Sequence, residues 1–108
     1  MSKEIKDLLL DNQFLIELRL RLVVREDHFA VLCSCIEQLS KELEGESCVD
    51  KDIAALFFVI PKVLDGARRQ FLRRHSPAAE RIEAMALTLD SLIFRCLGQP
   101  LTSIEQTG

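Results

Sequence analysis

Residues 18–24 read "LRLRLVV", apolar and basic side chains alternating up to the closing Val23-Val24. A period of two is the pattern of a half-buried strand, and a strand here would make the fold mixed. The wider window decides otherwise. Ile5, Leu8, Leu9, Leu15, Ile16, Leu22 and Val23 fit a helix from about Ser2 to Val24. A lone strand needs a neighbour to pair with, and no other segment of the chain reads as one. One helix is therefore expected here.

The remaining segments carry clearer helical signals. Phe29, Leu32, Cys33, Ile36, Leu39 and Leu43 form an apolar stripe, with Glu37, Gln38, Lys41 and Glu42 opposite. Asp27 is placed to cap its start, and the "EGES" around Gly45 ends it. A third segment begins behind Asp50 and runs to about Arg74. Its run Ile53–Ile60 is apolar on nearly every side, and Pro61 then removes a backbone donor and crowds the preceding turn. One helix kinked near Phe57 is preferred over two short ones. The last segment opens on Ser76-Pro77, a cap followed by proline in the first turn. Ile82, Met85, Leu89, Leu92, Ile93 and Cys96 then make one stripe, before Gly98 and Pro100 stop it.

At 108 residues, 48% apolar and 29% charged, the chain suits one modest core. A formal net charge of −3 argues against a body that is phosphate-binding throughout, though a local basic patch remains compatible with it. No apolar run approaches the ~18–20 residues of a membrane span. The opening "MSKEIKDLLLDNQ" lacks the pattern of a signal peptide, so a cytoplasmic home is expected. Cys33, Cys35, Cys48 and Cys96 would stay reduced there. Cys33 and Cys35 point about 200° apart around a helix, so they are read as small buried hydrophobes rather than metal ligands.

Catalytic motifs are scarce. No glycine-rich phosphate loop, nucleophile elbow or zincin motif occurs, and the carboxylate pairs Asp7/Asp11 and Glu80/Glu83 have no histidine partner at metal-site spacing. His28, beside Asp27, reads as an exposed or capping residue. The densest polar cluster is "ARRQFLRRHSPAAER", with Arg68, Arg69, Arg73, Arg74, His75 and Arg81. Cations suit the end of a helix dipole, but four arginines in about one and a half turns exceed that need. Their planar forks suit carboxylate or phosphate, whereas a chain without Trp or Tyr stacks bases poorly. Arg69 and His75 also resemble the R-x(4–6)-H spacing of helical ribonucleases of the HEPN type, with Gln70 in the position after the arginine. That resemblance implies His75 as acid or base and Arg69 as holder of the scissile phosphate.

The apolar run 53–60 is wider than the stripe a bundle helix needs. Phe58 and Val59 are its surplus, and in the first segment Leu10, Phe14 and Leu18 fall opposite Leu8 and Leu15. Exposed, such residues mark an interface. The resulting expectation is an all-α, small antiparallel bundle of about four helices, the third kinked at Pro61, and dimeric. Residues 1–98 form the domain and 99–108 a flexible tail. The expected role is a non-catalytic regulator that occludes a protein partner, of antiactivator, antitoxin or immunity, or secretion-chaperone type. Its interface would use Phe14, Leu18, Phe58 and Val59, with Arg68, Arg69, Arg73, Arg74 and His75 as a polar docking patch. No cofactor, metal or membrane is called for. Binding of nucleic acid through Arg68–His75 is the rival reading.

Overall fold

The computed structural model describes residues 3–98, so the tail expected at 99–108 lies outside the described residues. Among the described residues the chain is helical throughout, in five elements: α1 (Lys3–Leu10), α2 (Gln13–Arg21), α3 (Glu26–Glu42), α4 (Lys51–Arg73) and α5 (Ala78–Leu97). The alternating stretch is thus helix up to Arg21, where Leu22 adopts a left-handed conformation (φ 54°) and closes α2.

The first segment is not the single helix its apolar spacing suggests. Asn12 breaks it. Its backbone is extended and its side chain, only 5% exposed, accepts a 3.0 Å hydrogen bond from the Leu15 amide. Asparagine competes with the helical backbone in this way, which is why it is favoured at caps. The break resets the register of everything after it. Phe14 and Leu18, expected on the outer side of a continuous helix, turn inward and are 0% exposed. Both are core residues, and as interface residues they are withdrawn. Leu10 faces solvent as expected, and Leu8, Ile16 and Leu20 are exposed as well.

The other ends are close to expectation. Asp50 caps α4, its carboxylate accepting from the amides of Asp52 (2.8 Å) and Ile53 (3.4 Å). Ser76 Oγ accepts from the Ala78 amide, and Gly98 closes α5 with φ 82°. α4 is one element with Pro61 inside it, not two. The start of α3 differs: Arg25 occupies the cap position without capping a backbone amide, and Asp27 sits in the first turn, held by the Arg25 guanidinium.

α1 and α2 span eight and nine residues, too short to persist alone in water. Tertiary packing holds them. The short link after α4 folds α5 back against it; α5 also packs on α3, while α1 and α2 fill the remaining side of α3 and α4. Between them lies one core, with Leu9, Phe14, Leu32, Ile36, Ile53, Ile60, Ile82, Met85 and Leu89 among its fully enclosed members. Phe14 meets Phe29 at 5.3 Å between ring centres, tilted by 57°.

Ion pairs fasten the corners. Lys6 Nζ reaches Asp50 Oδ2 (2.9 Å) and Asp52 Oδ2 (3.2 Å), tying α1 to the start of α4 and holding the Asp50 carboxyl below its usual range. Arg81 grips both oxygens of Glu26, joining α5 to α3 and lowering that carboxyl likewise. No helix among the described residues is long and apolar enough to cross a membrane.

Candidate functional site

α4 presents two solvent-facing strips. Residues 58, 62, 65, 69 and 72 follow one another at helical steps on its outer side. Phe58 is 69% exposed there, and the Lys62 ammonium lies 4.4 Å from its ring centre. A cation over a ring shields one face and leaves the other apolar. Val59, 39% exposed, begins the second strip, which faces α2. Both α4 residues expected at an apolar surface are therefore at the surface. Their two helix-one counterparts are not.

Where α2 approaches α4 the surface dips into an open groove of about 410 Å³. Leu18, Val59, Val63 and Ala67 supply its apolar floor, and Arg19, Lys62 and Gln70 its polar edges. Gly66 is among its lining residues. A Cβ built on Gly66 would meet nothing within 4 Å. Among the described residues no acidic side chain lines this groove. Apart from Leu18 and Val59, these residues escaped the sequence reading, because the groove's second wall depends on how α2 is turned. A glycine inside a helix was the one signal that could have drawn attention to it.

The arginine cluster is looser than its sequence suggests. Arg68 and Arg69 share one carboxylate, Asp65, at 3.3 and 3.0 Å. Arg81 is engaged with Glu26, with its guanidinium carbon 5.7 Å from the Phe29 ring centre. Arg73 and Arg74 are exposed and form no ion pair among the described residues, and His75 ends the helix in a left-handed conformation (φ 54°), also exposed. Arg69 is thus directed toward Asp65 one turn back rather than toward His75.

Two further groups depart from expectation. His28 is half-buried rather than exposed: its Nδ1 lies 2.9 Å from Glu17 Oε1, close enough to pair but out of line for a hydrogen bond. Cys35 and Cys96 are buried and Cys33 half-buried, with burial raising all three thiols, but Cys48 stands exposed on the α3–α4 loop. The Cys96 thiol donates to the Ile36 carbonyl at 3.4 Å. No group of three or more metal-ligating side chains occurs among the described residues. A separate hollow of about 570 Å³ beside Lys3, Lys6, Asp7 and Asp50 contains the Lys6–Asp50 ion pair.

No protein-family model, curated protein or solved structure matches this chain. Its class rests on its own geometry: a small helical bundle with an apolar, cation-edged face on its longest helix.

Proposed function

We propose that this chain is a non-catalytic, cytoplasmic binding protein that covers a protein partner with the exposed face of α4, and that it self-associates through Phe58 and Val59. The observation that carries the reading is the 69% exposure of Phe58 on a helix whose opposite side is core. Burying a large apolar side chain is worth roughly 1.5–3 kcal/mol. Phe58 and Val59 on α4 offset part of the several kcal/mol lost on association when a second copy covers them. In this reading the missing donor of Pro61 bends α4 and ends the straight contact surface, turning Arg68–His75 outward as a polar contact. The mechanism is occlusion, as for antiactivators, antitoxin or immunity proteins and secretion chaperones.

Light scattering tests it. Wild type should have the mass of a dimer and Phe58→Asp that of a monomer with unchanged helix content; an identical mass for both overturns the self-association. The unpaired cations Arg73 and Arg74 favour one second reading, nucleic-acid binding. It requires steeply salt-dependent RNA or DNA binding that Arg73→Ala/Arg74→Ala removes, and its enzymatic form requires RNA cleavage that His75→Ala abolishes.

A further inference from the structure

We infer that the groove between α2 and α4, which Gly66 helps to line, is a seat for an acidic amphipathic helix of a partner protein. The inference rests on the reading of this chain as a protein-binding module, but not on its being a dimer; Val59 belongs to both surfaces, so a second copy and the partner helix would compete there. Glycine is among the poorest helix formers, so its place in the middle of a 23-residue helix calls for a reason. Packing within the chain gives none, since a side chain at Gly66 would point into open space. What the missing side chain does provide is close approach of another backbone to α4 from outside.

The surroundings define what approaches. The floor that Val59, Val63 and Ala67 offer is apolar, so the occupant brings an apolar stripe. Arg19 stands on the α2 edge and Lys62 on the α4 edge. Gly66 and Arg73 lie seven residues apart, which puts Arg73 within about 20° of the same line along α4. Arg19, Lys62 and Arg73 have no carboxylate partner among the described residues, and the nearest acidic side chain on α4, Asp65, is occupied by Arg68 and Arg69. In a chain whose net charge is −3, this is a local excess of unneutralised cations around an apolar floor. It complements a helix with an apolar stripe bordered by Glu or Asp. A second copy fits poorly, because a two-fold axis through Gly66 would set Arg19 and Lys62 against their own counterparts. Beyond Pro61, from Lys62 to Arg73, the helix rises about 16 Å, room for some three turns of partner.

The test uses two labelled 18-residue peptides, both helical with the same leucine stripe, one bordered by Glu and the other by Lys. Fluorescence anisotropy with the full chain should show saturable binding of the acidic peptide at least tenfold tighter than the basic one. Gly66→Leu should abolish that binding while melting at or above the wild-type temperature. Arg19→Glu/Lys62→Glu should reverse the preference between peptides. The inference falls if the acidic peptide does not saturate, if the two peptides bind alike, or if Gly66→Leu binds the acidic peptide within threefold of wild type. It also falls if a 12-nucleotide RNA binds more tightly with the same Gly66→Leu sensitivity, or if Gly66→Leu instead abolishes self-association, which would place a second copy in the groove. Phe58→Asp separates the two proposals: a monomeric wild type with intact peptide binding sinks the dimer alone, and a dimer lost on Phe58→Asp without peptide binding sinks the groove alone.

Discussion

Replacing Phe14 by alanine tests which side of α2 faces inward, and so tests the break at Asn12 on which the whole arrangement turns. The ring is 0% exposed and lies 5.3 Å from Phe29 between centres. Truncating a buried phenylalanine costs about 3–5 kcal/mol, and the aromatic pair places Phe14 toward the upper part of that range. A domain of this size has about 5–15 kcal/mol in all. With a urea slope of about 2 kcal/mol per molar, a loss of about 4 kcal/mol lowers the unfolding midpoint by about 2 M. Phe58→Ala is the matched control: the same truncation at a surface ring removes a Lys62 contact worth about 0.5–1 kcal/mol, a shift of about 0.5 M or less. The chain has no Trp or Tyr, so unfolding is best followed by far-ultraviolet circular dichroism. Two protein concentrations separate folding from association. A Phe14→Ala midpoint within about 0.5 M of wild type would refute the inward register of α2, as would an equally costly Phe58→Ala under monomeric conditions.

Asn12→Ala removes the acceptor of the buried Leu15 amide and should cost about 1–3 kcal/mol, more than an exposed cap would, measured by the same urea titration. Asp50 and Glu26 have folded-state carboxyls depressed first by hydrogen bonds from Lys6 and Arg81. Their contribution is present above the ordinary carboxylate range near pH 4 and fades as pH falls through the lower folded values. Lys6→Met and Arg81→Met should therefore flatten the acid limb of a stability-against-pH curve and leave its slope above pH 6 unchanged. Cys48 is exposed, Cys33 half-buried and Cys35 and Cys96 buried, so a disulfide reagent at pH 8 should label Cys48 fastest, Cys33 more slowly, and Cys35 and Cys96 at a rate set by opening of the fold.

Local chemistry carried most of the secondary structure into the sequence. The cap at Asp50, the Ser76-Pro77 start, the Gly98 stop and the stripes of α3 and α5 depend on neighbours within a few positions, and each was legible. Asn12 was legible in principle too, as a capping residue inside "LLLDNQFLI", but the apolar spacing on either side masked it. That one turn decided the candidate site. An interruption in a helix shifts the facing of all later side chains, so Phe14 and Leu18 passed from surface to core.

What the sequence by itself determined is the all-helical class and the apolar surplus of α4, because periodicity and total apolar content are properties of the chain alone. Only the tertiary structure decided where the surplus emerges: Phe58 and Val59 outside, Phe14 and Leu18 within, and a cation-edged groove around Gly66. The reason is geometric. A groove has two walls, and which residues of α2 meet α4 is set by packing between segments some forty positions apart, which no short window of sequence records.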